Sequence, residues 1–219
     1  MRLFQPDLII EVTSACNRAC TGCYAPNVVT NVPSNDFYKE NPELFIGISA
    51  LNRAFNHLDT IPYLTTVRGG EPSLHPKLAI LLLMIQRHSS QIMLETHGRW
   101  LLPEKVSDYQ ELIEAIRSLS IIVKVSFDKM HKLSTESLNT ITDFLEASGI
   151  DYRIAITEDS IGEFIVTKTL CSWIDDSKII FQQKASSVMG LVQPTLGVIN
   201  TKGEFQASVT SHFSYNEAL

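Results

Sequence analysis

The feature that most limits what this chain can be is a run of three cysteines close to its start. Cys16-Asn17-Arg18-Ala19-Cys20-Thr21-Gly22-Cys23 spaces them C-x3-C-x2-C, and they are three of only four cysteines in the sequence. Three thiolates can hold three irons of a cubic [4Fe–4S] cluster, whose full complement is four cysteines, so one iron stays open to a substrate or cofactor. Two other readings compete. A structural zinc site needs a matching second half, which Cys171 and a distant histidine would have to supply. The blandest reading is three inert, packed thiols.

Composition narrows the setting. A chain of 219 residues with 44% hydrophobic content suits one domain with a sizeable core. A net charge of −6 with no block of Lys or Arg argues against nucleic acid as the partner. Residues 1–7 lack the apolar centre of a secretion signal, and four cysteines in a chain this long do not form a disulfide framework. The longest apolar run, residues 78–85, is too short to span a bilayer. The expected compartment is a reducing cytoplasm, without membrane association.

Hydrophobic patterning then predicts strands over 7–12, 63–67, 91–95, 121–127, 152–157 and 178–181. Between them fall an irregular loop over 25–41 and helices over 42–58, 78–87, 106–119, 135–147 and 160–170, with Gly149 as a helix C-cap. Six alternations of strand and helix predict an α/β fold with a parallel sheet and outer helices, too few units for a closed eight-fold barrel. The cysteine run follows the first strand, at the end of such sheets where chemistry sits. The tail differs: 196–199 and 204–209 are β-rich and flank Asn200-Thr201-Lys202-Gly203, a hairpin signal. We therefore expect a core over 1–185 and a small β-hairpin extension over 186–219, packed on the core.

Two further stretches accompany the cysteines: Gly69-Gly70-Glu71-Pro72 after the second strand, and Ser126-Phe127-Asp128 at the end of the fourth. Together the three resemble the landmarks of the radical S-adenosylmethionine (radical SAM) superfamily. That resemblance implies a partial (β/α)6 barrel and a [4Fe–4S] cluster on Cys16, Cys20 and Cys23. It also implies SAM, bound through its amino and carboxylate groups to the open iron. The cluster's electron would cleave SAM to methionine and a 5′-deoxyadenosyl radical, which takes a hydrogen atom from a substrate.

The same resemblance assigns Gly69, Gly70 and Glu71 to the methionine end of SAM, and Ser126 and Asp128 to its ribose or the substrate. Thr96-His97-Gly98 resembles a Thr-Asn-Gly of relatives, making Thr96 a SAM-pocket candidate and His97 a substrate-facing one. Relatives carry an aromatic residue before the third cysteine; this chain has Gly22 there, with Tyr24 as the neighbouring ring. Residues 154–158 fall where relatives wall the adenine. His131 could meet substrate at the barrel mouth. Cys171 is either a hydrogen-atom donor, as in some epimerases of the superfamily, or a core residue.

Ala207 and Ser208 stand where relatives with extra clusters place a cysteine, and none follows Cys171, so no auxiliary cluster is expected. A core without that module, and with only fifteen residues before Cys16, points to a small-molecule substrate. A peptide is the second choice, and a non-catalytic cluster or zinc protein the third. A flavodoxin or ferredoxin is the expected electron donor.

Overall fold

In the computed structural model, which describes residues 6–20, 23, 35–158, 161–183 and 196–206, six strands lie side by side in chain order. They are β1 (Leu8–Thr13), β2 (Leu64–Gly69), β3 (Gln91–Thr96), β4 (Ile122–Ser126), β5 (Tyr152–Glu158) and β6 (Ile179–Gln183), and every neighbouring pair is parallel. Parallel neighbours need crossovers. These carry α1 (Asn35–Glu40) and α2 (Ile48–Phe55), α3 (Leu78–Gln86), α4 (Pro103–Val106) and α5 (Gln110–Ser118), α6 (Thr135–Ala147) and α7 (Ile161–Thr169). The expected open (β/α)6 architecture is present.

Strand pleating gives the sheet two different faces. Leu8, Ile10 and Val12, then Val67, Leu94, Val123, Val125, Ile154 and Ile156, join one core with Leu51, Leu81, Leu82, Ile85, Ile116, Ile141 and Leu145 of the helices. The alternate residues face inward. Leu64, Met93 and Ile122 form a separate small apolar cluster there. One step up, cross-strand register pairs Glu11 with Arg68, Glu95 with Lys124 and Lys124 with Arg153. Val67 pairs with Leu94, which sets Arg68 beside Glu95. A charged row thus crosses five strands on the inner face.

The tail forms its hairpin, but as part of the sheet. β7 (Gly197–Ile199) runs parallel to β1, and β8 (Phe205–Gln206) returns antiparallel to β7. The order is β6-β5-β4-β3-β2-β1-β7-β8, so seven strands are parallel. Asn200 Oδ1 ties the turn by accepting from the Lys202 and Glu204 amides, each at 3.0 Å. The expected core boundary at 185 and the strand end at 207–209 lie outside the described residues.

Local departures from the sequence pattern have identifiable causes. The helix expected over 42–58 begins only at Ile48, because Ile46 donates its amide to Val12 O and Phe45 bridges Thr13. Strand pairing thereby overrides helical spacing. Part of the expected loop over 25–41 is the helix α1. The helix expected over 106–119 is split by the turn Ser107–Tyr109, with Tyr109 laid against buried Trp100. Gly149 caps α6 as expected, at φ +67°. No helix among the described residues is long and apolar enough to cross a membrane.

Gly149 and Gly203 separate two costs of adding a Cβ. Both have positive φ, but a Cβ on Gly149 meets nothing, whereas one on Gly203 would sit 2.6 Å from Cβ of Ala50 in α2. Gly149→Ala should lose about 1 kcal/mol of stability from backbone conformation alone. Gly203→Ala should lose roughly twice that, since the hairpin must also shift from α2. Urea denaturation of both variants checks this; equal losses would mean that the hairpin turn is not seated on α2.

Candidate active site

Parallel strands bring the loops at their C-terminal ends to one edge of the sheet. The cysteine loop after β1, Gly70-Glu71 after β2, His97-Gly98-Arg99 after β3 and Asp128–Lys132 after β4 meet there. The closest seam joins the first two loops. Gly70 N–H donates to Thr13 O at 2.7 Å and Glu71 N–H to Ala15 O at 2.8 Å. A Cβ on Gly69 would lie 2.1 Å from Thr13 O, and one on Gly70 2.3 Å from Ala15 O. The glycines were expected to let backbone approach a ligand. What they approach here is the backbone that leads into Cys16.

Glu71 locks the third loop to this seam. Its side chain is 1% exposed. Oε1 accepts from Ser73 N–H at 3.1 Å and from the Thr96 hydroxyl at 2.8 Å, and Oε2 from His97 N–H at 3.0 Å. Thr96 Oγ1 in turn accepts from Gly98 N–H at 3.0 Å and Trp100 Nε1–H at 2.9 Å. That uses the one donor and both lone pairs of the hydroxyl, so Thr96 acts through Glu71. His97 is also buried. Its Nδ1 accepts from Arg99 N–H at 3.1 Å, which puts the proton on Nε2, and Nε2–H meets Asn17 Oδ1 at 2.8 Å. Burial holds the His97 pKa below its ordinary value. His97 was expected to face substrate. The structure makes it a neutral brace on the cysteine loop instead.

Cys16 is buried, while Cys20 and Cys23 are half-buried and linked by a 3.2 Å hydrogen bond from Cys23 N–H to Cys20 O. Burial pushes the Cys16 thiol up to about 12, and the negative fields of Glu71, Cys23 and Cys20 add to the rise. A bound metal would relieve this opposition by fixing the thiolate. Among the described residues no three His, Cys, Asp or Glu side chains converge on one metal ion. A zinc site would need its sulfurs about 3.8 Å apart, from Zn–S bonds of about 2.3 Å in a tetrahedron. A cluster spreads its thiolates over separate irons. Buried Arg99 Nε has no hydrogen-bond partner among the described residues, and Cys20 exerts an attractive field on its guanidinium. An anionic cluster on the three cysteines fits this donor.

At β4, Ser126 is half-buried on the inner face, one step above Lys124. Asp128, with no exposed side-chain surface, accepts from His131 N–H at 2.9 Å and from its Nδ1 at 2.8 Å. The ring is held through Nδ1, and the side chain is 22% exposed. Asp128 thus fixes the orientation of the His131 ring. Arg18 Nη2 donates to His131 O at 3.0 Å and Arg99 Nη2 to Lys132 O at 2.6 Å, binding this loop to the cysteine loop and to the loop after β3. Asn17, Arg18 and Arg99 were not singled out in the sequence. Only the fold brings them together, although Arg18 lies within the cysteine motif itself.

Below this tier runs the charged row. Arg68 Nη2 donates to Glu11 Oε1 at 3.1 Å and Lys124 Nζ to Glu95 Oε1 at 2.6 Å. Glu95 keeps 26% of its side-chain surface accessible within the barrel and Arg68 19%. Lys124 and Arg68 hold the Glu95 carboxyl below the usual carboxylate range against its burial. In the stretch 154–158, Ile154 and Ile156 belong to the helix-side core and Glu158 accepts from Thr167 Oγ1 on α7 at 2.6 Å. Cys171 joins none of these groups. It follows α7, which returns the chain to the opposite end of the sheet, and it is fully buried in the core with its thiol toward Lys168 O at 3.3 Å. Tyr24, Gly22, Ala207 and Ser208 lie outside the described residues.

No protein-family model matches the sequence, and no match was found among curated proteins. Solved structures do share the fold. The chain is similar to a structure of histidine-tagged anSMEcpe with bound AdoMet, at TM-score 0.56 and 18% identity, covering 81% of this chain and 49% of that one. It is also similar to native anSMEcpe with bound AdoMet and Cp18Cys peptide, at TM-score 0.54 and 16% identity, covering 81% of this chain and 50% of that one. The chain spans about half the length of these structures.

Two outcomes follow from the seam and the turn after it. Gly70→Ala, whose Cβ meets backbone on the cysteine loop, should lose about 2 kcal/mol or more in urea denaturation and bind less iron on reconstitution. His75, whose Nε2 contacts Ile46 O at 3.0 Å, is pushed by burial down to about 4. The unfolded chain takes up that proton near pH 6.5, so stability from His75 is present above 6.5 and is lost as pH falls toward 4. The wild type should lose about 3 kcal/mol more over that window than His75→Gln, measured by urea denaturation at each pH. Parallel pH profiles would show that His75 is not the group titrating.

Proposed function

We propose that this chain is a radical SAM enzyme acting on a small polar substrate. The observation that carries the reading is the C-x3-C-x2-C loop at the C-terminal end of β1, held by the Gly69-Gly70-Glu71 seam, in a sheet with the fold of AdoMet-bound anSMEcpe. Cys16, Cys20 and Cys23 hold the [4Fe–4S] cluster. With SAM bound, the cluster supplies reductive cleavage to methionine and a 5′-deoxyadenosyl radical that abstracts hydrogen from the substrate.

The chain's own residues hold and shield. Gly69 and Gly70 offer backbone groups to the methionine end of SAM. Glu71, braced by Ser73, Thr96 and His97, fixes the path of that backbone. Ser126 faces the ribose, and Tyr24, next to Cys23 in the sequence, is the candidate aromatic contact to SAM. Asp128 orients His131 so that Nε2 meets substrate at the barrel mouth. Cys171, in the core, has no part in this chemistry. Glu95, paired with Lys124, and Arg68, paired with Glu11, line the inner wall and keep part of their side-chain surface accessible. A polar substrate can hydrogen-bond to these ion pairs, whereas an apolar one would only desolvate them.

A peptide substrate is the second reading, favoured by the anSMEcpe structure with a bound Cp18Cys peptide. The electron donor is a flavodoxin or ferredoxin, and the setting a reducing cytoplasm. Nucleic acid has no place in a chain of net charge −6.

Anaerobically reconstituted protein, reduced with dithionite and given SAM, should release 5′-deoxyadenosine. Simultaneous replacement of Cys16, Cys20 and Cys23 by Ala should abolish release. One zinc per chain and no iron after reconstitution would overturn the proposal.

A further inference from the structure

The mechanism leaves one pair of charges unexplained. Arg18 comes from the cysteine loop and Arg99 from the loop after β3, and their guanidinium groups grip the carbonyls of adjacent residues, which brings two like charges together. The hydrogen bonds that their side chains make among the described residues do not relieve the repulsion. Arg18 reaches His131 O at 3.0 Å and Arg99 reaches Lys132 O at 2.6 Å, both neutral carbonyls. Arg99 Nε is buried without a partner among those residues. A buried N–H left unpaired in a native structure marks a missing acceptor. A like-charged pair beside a cysteine sulfur marks that acceptor as an anion.

Resting on the radical SAM reading, we propose that Arg18 and Arg99 are the built-in counter-charge of the cluster, with Arg99 Nε–H donating to its sulfur on the Cys20 side. One-electron reduction adds a negative charge to the cluster. Fixed positive charge and hydrogen bonds to sulfur favour the reduced form, and both are recognised determinants of cluster potential. The pair are positioning residues: they neither ligate iron nor touch substrate. They set how readily the cluster accepts its electron, and they hold the Asp128–Lys132 loop against it at the same time.

The test is a redox titration of the reconstituted protein without SAM. Dithionite and viologen mediators set the potential, and the reduced cluster is read by electron paramagnetic resonance. At one applied potential, Arg99→Met should lower the ratio of reduced to oxidised cluster about tenfold, which is about 59 mV for a one-electron couple. Arg99→Lys keeps the charge but loses Nε–H, and should fall between Met and wild type. Arg18→Met should shift in the same direction. Arg53→Gln, on α2, changes net charge equally and should not shift.

Iron and sulfide are counted first. Wild type without a four-iron cluster sinks the radical SAM reading itself. A fully loaded Arg99→Met protein with the wild-type potential overturns only the present inference. If Arg99→Met does not load iron, unchanged potentials in both Arg99→Lys and Arg18→Met overturn it. SAM affinity of each variant, by equilibrium dialysis of labelled SAM, separates the other anion in reach. A loss confined to SAM affinity, with potential unmoved, would assign the pair to the SAM carboxylate and overturn the cluster assignment.

Discussion

The site depends on two backbone hydrogen bonds, Gly70 to Thr13 and Glu71 to Ala15. They carry the pairing of β1 and β2 past the end of the sheet, so that the cysteine loop starts from a fixed direction. Sequence permits this only with glycine at 69 and 70, where any side chain would overlap a carbonyl. An exposed loop of small residues would otherwise sample many paths, each residue fixed costing about 1–2 kcal/mol of conformational entropy. Sheet pairing, extended by two residues, offsets that cost where Cys16 begins.

Glu71 then turns a seam of two loops into a junction of three. Its two carboxylate oxygens accept from Ser73, Thr96 and His97. Removing any one donor leaves lone pairs unmatched, at a cost of about 1–3 kcal/mol. Thr96 and His97 serve the junction, and through Nε2 of His97 it reaches Asn17, the residue after Cys16. Glycine and glutamate in adjacent positions thus do separate physical work: steric access for the backbone, and charge to collect amides.

Much of this was legible in the sequence, but unevenly. Strand–helix alternation gave the architecture because the helix-side positions Ile10, Val67, Leu94, Val123 and Ile154 are uniformly apolar. The position of Cys16, Cys20 and Cys23, on the loop at the C-terminal end of β1, was legible from their place after the first strand. The role of His97 was not, because a histidine in a loop reads the same whether it faces substrate or braces a backbone. Arg18 and Arg99 stand far apart in the chain, and only the parallel order β1-β2-β3-β4 juxtaposes them. The hairpin turn was readable at Asn200–Gly203, whereas its pairing with β1 is a tertiary outcome. The inner charges of β1–β4 were invisible for another reason: in each strand they alternate with core residues and resemble an ordinary solvated face.

That inner row bears on how the fold divides its polar groups. Two ion pairs held inside a barrel are no better for stability than well-packed apolar side chains, since desolvation costs several kcal/mol per ion. Their geometry also does not seal them off. Lys124 is nearly inaccessible, but its partner Glu95 keeps a quarter of its side-chain surface open, and Arg68 keeps a fifth. Above the row, Glu71, Thr96, His97 and Asp128 are consumed by one another and by backbone. The upper tier is therefore a frame that fixes the cysteine loop, and the lower tier is the surface left open to a ligand.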